Sequence, residues 1–225
     1  MNLTEVERRM FVGIDIGQVN DSTALAVVER LRAVPAPWAK SSPNQRARAR
    51  QAAAEEPLRL NVRHVERLPL GILYPRQVEM IMERLQRPAL RGATVYLDAT
   101  GVGRPVLQML RQAGARNVHG ITITSAQSEA RQTPDGWNVG KAELMNGALI
   151  AMQVGQLRLH RGVDHVDRLV KELRDFRARQ NPTSGNMTFT AREGEHDDLP
   201  LALSYAVFGA LRPEPATRIE ARFAA

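Results

Sequence analysis

The chain has 225 residues, 43% of them apolar, which is enough for one sizeable α/β domain with a real core. It contains no cysteine, so disulfide frameworks, thiolate zinc sites and cysteine nucleophiles are excluded. A net charge of +7, from 31 Lys+Arg against 24 Asp+Glu, favours a polyanionic partner, nucleic acid first and an anionic membrane surface second, although an Arg-rich proteome gives the same balance.

The N-terminal stretch Met1–Arg9 is charged and lacks the apolar core of a signal peptide. No later run approaches the roughly 20 apolar residues that span a bilayer. The expectation is a cytoplasmic protein with no membrane partner. Phe11–Ile16 is short and β-branched, Gly17–Asp21 is turn-rich, and Thr23–Val28 resumes the apolar pattern, which predicts a hairpin with an acid at the end of its first strand. From Val34 to Pro57 the composition shifts to prolines and the run Arg46-Ala47-Arg48-Ala49-Arg50; it reads as a long, solvated, basic surface insertion, with helix on a phosphate backbone as the alternative.

Leu58–Leu68 is expected to close a three-strand meander. Tyr74–Leu85 carries Val78, Ile81, Met82 and Leu85 at helical spacing. Ala93–Leu97 reads as a strand buried on both faces. Thr100–Pro105 is a turn launching a helix that stops near Gly114, and Val118–Thr124 is again strand-like. Then come a helix from Lys141 to about Val154, a short strand at Leu157–His160, a charged helix over Val163–Arg179, a strand at Asn186–Ala191 and a closing helix over Leu199–Leu211. An antiparallel meander followed by alternating strands and helices is a mixed α/β sheet flanked by helices. One domain over 1–225 is expected, with the insertion at about 34–57 and a tail at 212–225. The low aromatic content, 4%, argues against a base-stacking sheet.

Three acidic positions stand out against this pattern. Asp15 interrupts Phe11–Ile16, and strand alternation places Phe11, Gly13, Asp15 and Gly17 on one face, where the two glycines leave room for a metal and a phosphate. Asp98 ends Val95–Leu97, where α/β sheets build sites, and is followed by glycines and a helix N-terminus that suit an anion. Asp197 and Asp198 open an almost wholly apolar helix, with Glu193, Glu195 and His196 just before them. Taken singly, each has a structural explanation: a turn anchor for Asp15, and helix caps for Asp98 and for the pair. Taken together, acids beside a core call for a compensating partner, and a hard divalent cation suits phosphoryl transfer.

An Asp near the end of the first strand, an Asp ending a central strand and an Asp-Asp starting a C-terminal helix is the order of the ribonuclease-H-like nucleases. More closely, three stretches resemble the nuclease domain of bacteriophage large terminase subunits. They are Gly13–Gly17 with Asp21–Leu25, Leu97–Gly103, and His196–Leu203; Lys141–Met145 also looks like the lysine-led helix of those domains. The resemblance implies a ribonuclease-H-like mixed sheet and a Mg²⁺- or Mn²⁺-dependent endonuclease that cuts double-stranded DNA with two divalent cations. It assigns Asp15, Asp98, Asp197 and Asp198 as catalytic metal ligands. Lys141, Arg104, Arg46, Arg48 and Arg50 are candidates for phosphate contacts, and His196 for an auxiliary proton shuttle or a loop cap. Expected partners are a separate ATPase, a small terminase subunit or a portal, in a bacterial host cell. No Gly-x-x-x-x-Gly-Lys-Ser/Thr run occurs, so motor activity is not expected of this chain. The alternatives are a Holliday-junction-resolvase-like nuclease, a sugar-kinase-like ATPase using Gly13–Gly17 with Ser22-Thr23 as a phosphate loop, and a non-catalytic DNA-binding remnant.

Overall fold

A computed structural model describes residues 3–17, 21–37, 42–124, 129–175, 177–180, 187–190 and 197–212, the strands at 177–180 and 187–190 by their backbone only. The meander is β1 (Thr4–Asp15), β2 (Ala24–Pro35) and β3 (Arg59–Arg67), paired antiparallel. β4 (Thr94–Asp98) lies parallel to β1, and β5 (Val118–Thr124) parallel to β4. With β6 (Arg131–Thr133), β7 (Gly136–Gly140) and β8 (Leu157–Leu159) the main sheet has eight strands in the order β6-β7-β5-β4-β1-β2-β3-β8. β9 (Arg177–Gln180) and β10 (Met187–Thr190) form a separate antiparallel pair.

Strand alternation sorts the core into two layers. Val12, Ile14, Leu25, Val27, Val95 and Leu97 face α2 (Tyr74–Leu85) and α3 (Gly103–Gln112), which contribute Val78, Ile81, Val106, Leu107 and Leu110. Phe11, Ala24, Ala26, Val28, Tyr96 and Ile121 face α4 (Lys141–Gln153), α5 (Val166–Asp175) and α6 (Asp198–Leu211). Every residue of α6 from Asp198 to Ala210 is buried, as an apolar sequence without a polar face requires.

The Val34–Pro57 reading needs correction. β2 runs on to Pro35, and α1 (Pro43–Glu55) is a helix with Ala49 buried against Ala36. Its start is locally encoded: Ser42 Oγ accepts from the Gln45 amide at 3.2 Å, and Pro43 sits at the first position, where a missing N–H costs nothing. Pro43 and Pro57 therefore bracket a helix. Likewise the charged helix ends at Asp175, because the segment from Arg177 pairs with β10, and pairing outweighs local propensity. The β6–β7 hairpin, turned at Pro134-Asp135, escaped notice because its strands are short, although Asp135-Gly136 is a hairpin signal.

One half-buried ion pair stabilises the meander. Burial pushes the Glu66 carboxyl up, but His64 and Arg84 more than offset this and hold it at about 2. Arg84 grips it through two nitrogens, one at 2.9 Å. A carboxyl held below its unfolded value of 4.5 stabilises above that pH and loses this contribution as pH falls toward 2. After discounting for solvent screening, Arg84→Ala is expected to cost about 1–2 kcal/mol at pH 7 and markedly less at pH 2.5, read from urea unfolding at the two pH values.

Candidate active site

Strand register brings the first two acids together. Ile14 pairs with Leu97, so Asp15 and Asp98, one residue further on, are lateral neighbours on parallel strands, about 5 Å apart at sheet spacing. Both fall on the face covered by α6. Asp15 pairs with Ala24, and Ala24 with Arg67, so Asp98, Asp15, Ala24 and Arg67 form one row across four strands.

The small residues in this region serve α6. A Cβ on Gly13 would lie 1.9 Å from the Ala202 carbonyl oxygen and 2.6 Å from the Ala206 nitrogen. A Cβ on Gly17 would meet the backbone of Asp21 and Ser22 at 2.1–2.6 Å. The expected open space beside Asp15 is therefore occupied, by helix backbone on one side and by the loop on the other. Direct backbone packing is what delivers the N-terminus of α6, with Asp197 and Asp198, to the ends of β1 and β4.

The electrostatics report the convergence. Burial, and then the carboxylates of Asp98, Asp198 and Asp197, raise Asp15 well above the usual carboxylate range, with Lys141 pulling it back. Asp98 is raised by burial and partly restored by Thr100, the nearby Tyr205 hydroxyl and Lys141; the Thr100 amide donates to Asp98 Oδ1 at 2.7 Å. Asp98 thus has an anchoring role as well as its place in the cluster. The glycines after it shape the turn: Gly101 has φ 56°, and a Cβ on Gly103 would lie 1.7 Å from the Asp98 carbonyl oxygen.

Lys141, the first residue of α4, is half-buried with its Nζ 3.1 Å from Asp197 Oδ2. Asp198 is buried, and its Oδ2 lies 3.1 Å from Arg67 Nη2, which is also 2.9 Å from Glu172 Oε1. Glu172 is raised by burial; Arg67 lowers it and Asp198 raises it. Tyr205 is fully buried and raised well above its ordinary value by burial and then by Asp15 and Asp98.

Among the described residues, the four aspartates Asp15, Asp98, Asp197 and Asp198 are met by Lys141 and by Arg67, and Arg67 is shared with Glu172, which Arg168 also approaches at 3.4 Å. Among the described residues no three acidic or histidine side chains are already closed to metal-ligand spacing. The donor set is nevertheless all carboxylate and carries a surplus of negative charge, which fits a hard divalent cation and not a soft one.

Other positions lie apart from the cluster. Arg104 is exposed on the first turn of α3 and lines a cleft of about 270 Å³ with Ala99, Thr122 and Asn138. Arg46, Arg48 and Arg50 are exposed on α1, which packs near the opposite end of β1, where Thr4 Oγ1 donates to Glu56. At strand rise that end is roughly 35 Å from Asp15. His196, Glu193 and Glu195 lie outside the described residues.

The sequence reading missed Arg67, Glu172 and Tyr205. Tyr205 was recoverable, since it follows Asp198 by seven residues, two helical turns along the same face. Arg67 and Glu172 look in sequence like any surface charges.

A mixed sheet with this strand order, its acids gathered where β1 and β4 end against α6, defines a ribonuclease-H-like nuclease fold. A family profile described as the terminase RNaseH-like domain matches residues 53–209, a span that includes Asp98, Lys141, Asp197 and Asp198 and begins after Asp15. The chain belongs to that family and is a nuclease domain of terminase type. Among solved structures it is similar to the large terminase nuclease from thermophilic phage G20c, described with bound cobalt. That likeness has a TM-score of 0.60 and 19% identity over 90% of this chain and 81% of the other, and speaks for the fold. No curated protein matches. Among the described residues, no helix is long and apolar enough to cross a membrane.

Proposed function

We propose that this domain is a divalent-metal-dependent endonuclease that hydrolyses phosphodiester bonds of double-stranded DNA in genome packaging, with Asp15, Asp98, Asp197 and Asp198 holding two Mg²⁺ or Mn²⁺ ions. The observation that carries the reading is the convergence on Asp15 of the charges of Asp98, Asp197 and Asp198, acids that come from three distant stretches of sequence. The cobalt described in the similar terminase nuclease supports a metal at such a site.

The chemistry that a pair of divalent cations supplies is activation of a water and stabilisation of the departing 3′ oxygen. The residues of the chain set the stage for it. Asp15 stands beside Asp98 on the sheet, and the charges of Asp98, Asp198 and Asp197 all bear on it, which would suit it to hold both ions. The Thr100 amide keeps the Asp98 carboxylate in one orientation. Lys141 tempers the repulsion between the acids and, released from Asp197, is placed to meet a phosphate. Arg104, exposed one short turn beyond Asp98, is the second phosphate contact. Arg46, Arg48 and Arg50 would reach DNA only along a path that runs the length of β1. A small terminase subunit, a portal or an ATPase would be the partner that brings DNA to the site.

The test is cleavage of supercoiled and linear plasmid with Mg²⁺ or Mn²⁺, with a chelator control and a four-way junction as competing substrate. Metal-dependent cutting of duplex is expected. Cutting that persists in excess chelator removes the metal from the reading, and cutting confined to the junction replaces it with a resolvase.

A further inference from the structure

The proposed mechanism leaves one buried charge beside the acids unused. Arg67 ends β3 in the same row as Asp98 and Asp15. Its side chain is 9% exposed, and its Nη2 is almost equidistant from a carboxylate on α5 and one on α6. It meets neither with hydrogen-bond alignment. Guanidinium groups buried for stability usually grip a carboxylate through two parallel N–H bonds. One shared between two carboxylates, and aligned with neither, is held by charge and can favour either through a small torsion.

A divalent cation and a guanidinium compete for the same carboxylate, because each disfavours the other's charge nearby. A guanidinium pushed off Asp198 and left alone in this interior would be a buried unpaired charge, which proteins avoid. Glu172, 6% exposed and already 2.9 Å away, gives it somewhere to stay. Arg168, on the same helix, lies 3.4 Å from Glu172 and balances that carboxylate until then.

We propose that Arg67 is a tethered counter-ion that is shared between Asp198 and Glu172 while the site lacks metal and is left to Glu172 alone when a divalent cation enters. Arg67 and Glu172 thereby set the site's metal affinity from outside the ligand set. This rests on reading Asp198 as a metal ligand.

The two partners of the one ion pair then act in opposite directions on metal affinity; fixed charges would act with the same signs, so movement of Arg67 toward Glu172 in Mn²⁺-soaked crystals is the readout that separates transfer from field alone. Removing Arg67 frees Asp198 for metal; removing Glu172 leaves Arg67 with Asp198 alone and obstructs metal. The experiment titrates Mn²⁺ into the DNA-free protein, reading free Mn²⁺ by electron paramagnetic resonance. Arg67→Gln is expected to bind Mn²⁺ about tenfold more tightly than wild type and Glu172→Gln about tenfold more weakly, with Arg67→Lys near wild type. If both Gln variants shift affinity in the same direction, or neither shifts it, the counter-ion role is overturned. Should Arg67→Gln fail to fold, Glu172→Gln decides alone, since unchanged or tighter binding there contradicts the transfer. Wild-type protein that binds no Mn²⁺, or whose binding survives Asp15→Asn, would instead overturn the reading of the site itself.

Discussion

Asp15→Asn is expected to lower metal-dependent DNA cleavage by about 10³-fold or more while making the metal-free protein more stable. The two effects have one cause. Asp15 is held among Asp98, Asp198 and Asp197 with too little positive charge nearby, so ionising it works against the fold. The amide keeps the shape and removes the charge. Relief of about 1 kcal/mol corresponds to a Tm gain of roughly 2–4 °C for a domain of this size. Mn²⁺ at about a hundred times its Kd should add about 2.7 kcal/mol to wild type and almost nothing to the variant. Thermal unfolding with and without metal, beside plasmid cleavage, checks all three. An aspartate that merely anchored its turn would instead lose stability on substitution and gain none from metal.

Gly13→Ala is expected to cost about 3 kcal/mol or more and to leave little folded protein. The added methyl would lie 1.9 Å from the Ala202 carbonyl oxygen and 2.6 Å from the Ala206 nitrogen, both backbone atoms of α6 that no rotamer change can move aside. Relief requires α6 to back away from β1, and α6 carries Asp197 and Asp198. Any fraction that folds should therefore have lost cleavage more completely than stability. Urea unfolding and soluble yield, compared with Gly162→Ala, where a Cβ meets nothing, make the measurement. Normal stability in Gly13→Ala would mean that β1 and α6 are not in backbone contact at Gly13.

This contact also bears on the alternative in which Gly13–Gly17 cradles a phosphate. Gly13 packs against α6 within paired strands, and the Gly17 amide donates to Thr23 Oγ1 at 3.0 Å, so both are already engaged. Glycines flanking an acid looked like space for a ligand, and here they are space for a helix.

Much of the frame was legible because period and position agreed. Tyr74–Leu85 and Val118–Thr124 fall where their spacing puts them, and an acid ending an apolar run is visible without any structure. Asp15, Asp98 and Asp198 could be picked out because each contradicts its local pattern. Arg67 and Glu172 do not contradict theirs: β3 and α5 are full of charges, and only strand register and helix packing reveal that these two are buried. The basic stretch at Arg46–Arg50 misled for the opposite reason, since its composition resembles a loop while Ser42 and Pro43 encode a helix start. Its distance from Asp15 follows from the full length of β1, whose charged N-terminal half pairs with β2 beyond the core.

The most direct measurement is anomalous diffraction from crystals soaked in Mn²⁺. Acids gathered for two-metal hydrolysis require Mn²⁺ peaks flanking Asp15, bounded by Asp98 and by the Asp197–Asp198 end of α6, with Arg67 moved toward Glu172. Active crystals in which Mn²⁺ avoids Asp15, or binds only at a remote surface, would contradict that site.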